Sequence, residues 1–119
     1  SLLEEEAKTY EDKRIIAGIL WKRLREGVRL QVDAPFIYII GKSSHELTAD
    51  DLAFDSPYNT YLYEGLPPTP ISSPGLESIQ AAYDPLPTSY WFYLSDNEGA
   101  IHYADTFEEH KTNKAKYIK

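Results

Sequence analysis

The sequence contains no cysteine among its 119 residues. Disulfide cross-links and thiolate metal sites are therefore excluded, while the redox environment of the protein stays open. The sequence also lacks a run of about 18 apolar residues, the length that a membrane-spanning helix requires. No signal peptide is recognisable at its beginning, and we expect the first residues to lie within a helix of a longer protein.

Basic residues are in the minority, with 12 Lys and Arg against 19 Asp and Glu and a formal net charge of −7. Because nucleic-acid backbones and anionic membrane surfaces attract basic faces, the charge balance argues against both as main partners. The main basic cluster comprises Lys22, Arg23, Arg25 and Arg29. We interpret it as a helix end that complements the helix dipole; contact with acidic groups on a polymer substrate is the alternative.

Histidine is scarce, and His45, His102 and His110 lack the spacing of metal ligands. Asp50 and Asp51 likewise lack the alternating oxygen ligands of a calcium loop. The sequence therefore predicts neither a metal nor a cofactor.

The length fits one small domain over residues 1–119, with 42% apolar residues to build a core. Ten tyrosines exceed four phenylalanines. Aromatic rings with a polar tip suit a carbohydrate groove, and they equally suit the half-buried surface of a small domain.

Capping and turn residues predict several helices, one small hairpin and one long ordered loop, an α+β arrangement. Thr9 opens a helix with apolar positions at helical spacing that ends before Gly27. Phe36 to Ile40 fits a helix or a strand. From Leu47 to Gly75 the residues are typical of turns, yet the segment keeps many aromatic side chains, so we expect an ordered loop.

The last third of the sequence predicts a helix, a hairpin and a closing helix. Ser73 and Pro74 are typical of a helix start, and Leu76, Ile79 and Ala82 should face inward. Strands at Tyr90 to Leu94 and Ala100 to Ala104 flank a turn at 96–99, and Thr106 caps the final helix.

Glu6 is a candidate proton donor. If the opening segment is helical, Leu2 and Leu3 share a face with Glu6, whereas Glu4 and Glu5 turn away. A carboxyl group on a buried apolar face has a raised pKa, as a general acid near neutral pH requires. A solvated glutamate near a helix end is the alternative.

An ordered set of motifs covers nearly the whole chain. It comprises Ser1 to Glu6, Lys22 to Leu24, Gly27 to Asp33, Leu47 to Leu52, Ser56 to Tyr61, Gly65 to Pro68, Ile71 to Gly75, Tyr90 to Tyr93, His102 and His110. In this order the set resembles the catalytic domain of the MltG-type (YceG-like) endolytic murein transglycosylases. The sequence departs from the family pattern at Ala34, which intervenes before Pro35, and at Lys22 in place of a frequent asparagine.

The resemblance implies a lysozyme-like fold, with Glu6 as the catalytic acid in the second position of the Glu-x-Glu motif. It implies cleavage of the bond between N-acetylmuramic acid and N-acetylglucosamine without water, which leaves 1,6-anhydro-muramic ends. Glu6 would act first as acid and then as base. Peptidoglycan glycan strands are the implied partner, with cell-wall synthesis proteins as candidates. The implied location is the extracytoplasmic face of the bacterial inner membrane, through an anchor outside this chain.

Within these motifs, five residues are candidate substrate contacts: Tyr58, Asn59, Tyr61, Gln31 and Asp33. A phenol and an amide could hold an acetamido group or a sugar hydroxyl. Alternatively, Asn59 closes a turn and Tyr58 fills the core, and Gln31 and Asp33 brace their loop.

Two rival functions stay open at this point. A hydrolytic muramidase would need a second carboxylate, for which Asp33, Asp55 and Glu64 are candidates. A non-catalytic peptidoglycan-binding module would bind glycan without cleaving it, even after the substitution Glu6→Gln.

Overall fold

The computed structural model describes residues 1–118, apart from the side chain of His45. Within this range the chain forms helices and one antiparallel two-stranded sheet, so the α+β prediction is confirmed. The helices are α1 (Leu2–Glu6), α2 (Tyr10–Arg25), α3 (Ala34–Ile40), α4 (Ala49–Leu52), α5 (Leu76–Tyr83) and α6 (Phe107–Tyr117), with a 3₁₀ turn at Ser44–Glu46. None of the described helices is long and apolar enough to cross a membrane.

Helix α2 forms the centre of the core. The Thr9 side chain accepts a hydrogen bond from the Asp12 amide at 3.1 Å, as the capping pattern predicts. Ile16, Ala17 and Leu20 are buried against the leucines of α1 and against Leu30 and Val32. Gly18 is required by packing, because a Cβ there would lie 2.1 Å from the Leu86 carbonyl oxygen.

Helix α3 resolves the ambiguity of the segment before Gly41. Asp33 precedes the helix, Pro35 lies in its first turn, and Gly41 ends it with a φ of 73°. These end signals and the burial of Phe36 outweigh the strand preference of the isoleucines. The long loop is also ordered, although α4 interrupts it, because Thr48 and Asp51 form a capping box.

Helix α5 differs from its prediction in two respects. It begins at Leu76 with Gly75 as N-cap, so Ser73 and Pro74 lie outside it. Its buried residues are Ser78 and Ala81, whereas Leu76 and Ile79 are 71% and 53% exposed. The inward face predicted for Leu76 and Ile79 is wrong, because α5 lies against α1 and α2 through small side chains that allow close approach.

The hairpin consists of β1 (Phe92–Ser95) and β2 (Ile101–Ala104), which are shorter than predicted but in the predicted order. Tyr93 pairs with Tyr103 across the ladder, so both side chains lie on the same face of the sheet. That face packs against the core around α2. The hairpin therefore brings Tyr93 towards α1, although Tyr93 lies 87 positions after Glu6, the last residue of α1 (93 − 6).

Candidate active site

The site is centred on Glu6, the last residue of α1. Leu2 and Leu3 are buried as predicted, and they anchor α1 in the core. The Oε1 atom of Glu6 is itself buried and has no hydrogen-bond partner among the described residues. Burial, together with the negative charge of Asp33, raises the pKa of Glu6 to about 8. Glu6 therefore keeps its proton at neutral pH.

Glu4 lies two residues earlier in a contrasting environment. Its Oε1 accepts hydrogen bonds from the Gly75 amide at 2.7 Å and from the Ser78 hydroxyl at 2.9 Å. These bonds lower the pKa of Glu4, so it is ionised at neutral pH. Glu4 thus turns away from Glu6, as predicted, and accepts hydrogen bonds at the N-terminus of α5, which it caps.

Asp33 and Tyr61 form the polar wall beside Glu6. The Tyr61 hydroxyl donates to Oδ1 of Asp33 at 2.5 Å. Burial and the negative charge of Asp33 raise the pKa of Tyr61, so the phenol stays protonated and remains a donor. The Phe36 ring lies 6.2 Å from the Tyr61 ring and fixes its plane. Asp33 and Tyr61 were both predicted as substrate contacts, and the structure brings both residues close to Glu6.

The segment that carries Asp33 is braced by Thr60. The Thr60 hydroxyl accepts from the Val32 amide at 3.0 Å and donates to the Val32 carbonyl at 3.1 Å. The Gln31 amide donates to the Thr60 carbonyl at 3.2 Å. Gln31 is exposed and has a φ of 54°, a conformation that costs free energy for a residue with a side chain. The bracing holds Gln31 in this strained conformation two residues from Asp33.

Asn59 is placed differently from the other predicted contacts. It is fully buried, and its amide donates to the carbonyls of Leu52 and Phe54 at 2.9 and 2.8 Å. Its Oδ1 accepts from the Tyr61 amide at 2.9 Å. This placement favours the loop-closing alternative over a substrate contact, and it fixes the backbone that presents Tyr61.

Tyr58 also lies apart from Glu6. Its half-buried ring packs edge-on against the Tyr38 ring at 5.3 Å, and its hydroxyl bonds to the Thr69 hydroxyl at 2.8 Å. That hydroxyl pair is exposed and so is accessible to a ligand, and Tyr58 is not among the groups that shift the pKa of Glu6.

The three candidates for a second carboxylate differ in their placement relative to Glu6. Asp33 influences the charge state of Glu6 directly. Asp55 is exposed and accepts from the Tyr63 hydroxyl, and the exposed Glu64 lies near Gly27. Of the three, only Asp33 belongs to the cluster around Glu6.

Tyr93 is the member of the cluster that sequence reasoning missed. It was placed in a strand whose side chains alternate between core and surface, without a role beside Glu6. Its hydroxyl is buried and, like Glu6 Oε1, has no hydrogen-bond partner among the described residues. A tyrosine at an inward strand position was the available signal, but the sequence does not show which helix that strand faces.

Arg23 supports this group from α2. Its guanidinium donates to the carbonyls of Trp91 and Arg29 at 2.8 and 2.7 Å, and it lies over the Phe92 ring. Arg23 lies in the last turn of α2, as predicted, but it is buried rather than solvated, and it ties α2 to the start of β1. Its charge faces Tyr93 and Tyr61.

His102 and His110 lie outside the site. The His102 ring bonds to Asp96 at 2.8 Å and stacks on Tyr117, while His110 packs against Phe92 and burial lowers its pKa to about 4. The His45 side chain lies outside the described residues. Within the described part of the chain, no three potential ligands come close enough to hold a metal ion.

An open groove among the described residues lies elsewhere. It has a volume of about 430 Å³ and runs between α1, α2, α5 and the proline-rich segment 66–70. Its lining is mostly apolar, including Trp21, Leu24 and Ile79. Glu6 does not line it, so the groove and the candidate site are separate.

Comparison with known proteins identifies the family. A sequence profile described as the YceG-like family matches residues 1–116. The chain belongs to the YceG-like family. A solved structure from Listeria monocytogenes, titled as a putative yceG-like protein, superposes with a TM-score of 0.86 at 39% identity. The match covers 94% of this chain and 37% of that chain.

Two curated relatives carry functional names. An "Endolytic murein transglycosylase" of Bacillus subtilis is 40% identical over 118 residues, which is 99% of this chain and 33% of that protein. A protein with the same name from Streptococcus pneumoniae is 34% identical over 124 aligned positions and is covered over 22% of its length. This YceG-like chain therefore spans about a third or less of the curated relatives that it matches.

Proposed function

We propose that this chain is the catalytic part of an endolytic murein transglycosylase, with Glu6 as its acid and base. The observation that carries the proposal is the buried, unpaired Glu6 Oε1 on a carboxyl group that keeps its proton at neutral pH. The names of the relatives support the same activity. We also infer that the domain is lysozyme-like, since a helix end presents the acid beside a loop wall and a small hairpin.

The proposed reaction uses one carboxyl group twice. Protonated Glu6 gives its proton to the glycosidic oxygen between N-acetylmuramic acid and N-acetylglucosamine, and the bond to C1 breaks. The Glu6 carboxylate then takes the proton of the C6 hydroxyl on the muramic acid while that oxygen bonds to C1. The product is a 1,6-anhydro ring, and Glu6 is protonated again. Because the nucleophile belongs to the substrate, no positioned water is needed.

The loop wall supplies the groups for positioning the sugar. The exposed Gln31 lies two residues from Asp33 and can reach a hydroxyl or acetamido group, and the Tyr58 hydroxyl offers a second contact further out. The ionised Asp33 would also stabilise positive charge that develops at C1. The proposed substrate class is peptidoglycan glycan strands, and the proposed location of the full-length protein is the extracytoplasmic face of the inner membrane.

A hydrolytic muramidase is the second candidate, and the proximity of Asp33 to Glu6 favours it over a non-catalytic module. A pair of neighbouring carboxyl groups is the usual equipment of a glycosidase that uses water. In the transglycosylase reaction, Asp33 instead raises the pKa of the acid. The two reactions differ in their products.

Mass spectrometry of digested peptidoglycan tests the proposal. Purified glycan is incubated with the chain and with the full-length protein, each as parent, Glu6→Gln and Glu5→Gln. We expect anhydro-muramic ends from the parent and from Glu5→Gln, because Glu5 is the exposed neighbour, and none from Glu6→Gln. Reducing ends would establish hydrolysis instead. Glycan binding without cleavage by either parent protein would leave the binding module as the function.

A further inference from the structure

Tyr93 carries the one buried tyrosine hydroxyl without a hydrogen-bond partner among the described residues. Burying an unpaired hydroxyl costs free energy, and folded proteins rarely retain such a group without a reason. Tyr61 and Tyr103 show the usual solution, since each donates to an aspartate. The Tyr93 hydroxyl therefore differs from these two hydroxyls, and its lack of a partner calls for an explanation at its own position.

The matching unpaired atom is Oε1 of Glu6. The Tyr93 hydroxyl is close enough to Glu6 to favour the ionised carboxylate, and the charge of Glu6 in turn raises the pKa of Tyr93. No hydrogen bond of standard geometry joins the two groups in the present structure. A protonated carboxyl group has little need of this donor, whereas a buried carboxylate has a strong one.

We propose that Tyr93 is a positioning residue whose hydroxyl donates to the Glu6 carboxylate formed when Glu6 gives up its proton. The inference rests on the proposed function, because it assigns Tyr93 to the step in which Glu6 changes from acid to base. Tyr93 remains protonated throughout and transfers no proton. It stabilises the carboxylate and aims it for the second step.

Other charged and titratable groups face Glu6 as well. Glu5 on α1 and Asp33 before α3 both disfavour the carboxylate. Tyr61 lies within electrostatic reach but donates to Asp33. Arg23 of α2 faces the two tyrosines, and its guanidinium protons go to backbone carbonyls. Among these groups, the Tyr93 hydroxyl is the donor left for Glu6.

Nuclear magnetic resonance titration of the Glu6 carboxyl carbon tests the inference without requiring activity. Comparison with Glu6→Gln assigns the resonance. In Tyr93→Phe we expect the Glu6 midpoint to rise by about one pH unit, the amount that one hydrogen bond to a charged group accounts for. Tyr103→Phe is the matched control, because Tyr103 pairs with Tyr93 across the hairpin and donates to Asp12 instead. It should leave the midpoint unchanged.

A second variant reverses the direction of the shift. Replacing Tyr93 with 3-fluorotyrosine makes the phenol a stronger donor with little change in size, so the Glu6 midpoint should fall. A purely structural Tyr93 would not produce opposite shifts in the two variants. A Glu6 midpoint that is the same in the parent, Tyr93→Phe and the fluorinated protein would overturn the inference.

The pH profile of glycan cleavage adds a functional readout. The basic limb should move upward in Tyr93→Phe, with kcat reduced about tenfold and KM unchanged, since Tyr93 acts through Glu6 and not on the sugar. If Glu6→Gln still cleaves glycan, the proposed function fails, while the titration still decides whether Tyr93 supports the carboxylate. If Glu6→Gln is inactive and the Tyr93→Phe profile equals that of the parent, only the inference on Tyr93 fails.

Discussion

Glu4 and Glu6 lie two residues apart on α1 and have opposite pKa shifts. The Glu4 carboxylate closes the N-terminus of α5 through the Gly75 amide and the Ser78 hydroxyl, which lowers its pKa. Oε1 of Glu6 is buried and has no partner among the described residues, and burial raises the pKa of Glu6 to about 8. One turn of helix thus supplies a structural carboxylate and a candidate acid.

Removing the structural carboxylate should destabilise the fold. In Glu4→Ala the Gly75 amide and the Ser78 hydroxyl lose their acceptor, so the melting temperature should fall by a few degrees. Glu5→Ala is the matched control, because Glu5 is the exposed residue between the two glutamates. Thermal unfolding followed by circular dichroism measures both. Equal melting temperatures for the two variants would show that Glu4 does not hold α5.

The buried acid should make stability fall as pH rises. The pKa of Glu6 is about 8 in the folded protein against an ordinary value of 4.5, so the folded state binds the extra proton. This contribution is complete below pH 4.5 and is lost as pH rises to 8, by at most ~1.4 kcal/mol per pH unit. Glu6→Gln carries no titrating proton at this position. The free energy of unfolding, measured with urea, should therefore fall in the parent but not in Glu6→Gln as pH rises through this window.

The negative charge of Asp33 should set the basic limit of activity. In Asp33→Asn that charge is absent, so the pKa of Glu6 should fall by up to about one unit and the basic limb of the pH–rate profile should move downward. Asp55→Asn is the control, since the exposed Asp55 bonds to Tyr63 away from Glu6. Glycan cleavage across a pH series provides the measurement. If the basic limb of the pH–rate profile is unchanged in Asp33→Asn, Asp33 does not influence the pKa of Glu6.

Substitution of Asn59 should lower the folding stability rather than weaken substrate binding directly. Asn59→Ala removes the two donors to the carbonyls of Leu52 and Phe54 and the acceptor of the Tyr61 amide, a loss expected to cost ~2–4 kcal/mol. Asn97→Ala, in the exposed hairpin turn, should have little effect. Urea unfolding gives the free energies. A raised KM at parental stability would instead restore the substrate contact predicted for Asn59.

Local sequence patterns predicted many of the elements. Thr9 and Thr106 each cap the helix that follows, and Gly27 lies just after the end of α2, because capping and left-handed glycines act over a few residues. Helical spacing also predicted that Leu2 and Leu3 would be buried, with Glu6 on their face. The Glu6 environment agrees with this local prediction.

Contacts between distant segments escaped the same reasoning. Helix α5 begins where Glu4, from α1, accepts from its first turn, so the local start signal at Ser73 and Pro74 is not used. Its buried face follows from close packing on α2, which favours Ala81 over the larger Ile79. The sequence left Asn59 open between a sugar contact and a turn-closing role, and the fold places its amide on the carbonyls of Leu52 and Phe54.

The sequence by itself determined several helix ends, the hairpin, the net negative charge and the family of this protein, because each depends on composition, short-range chemistry or ordered motifs. Only the tertiary structure decided which groups surround Glu6. Asp33, Tyr61 and Tyr93 come from separate segments, and their distances to a buried carboxyl group depend on how α1, the braced loop and the hairpin pack. A pKa shift follows from burial and neighbouring charge, and the fold sets both.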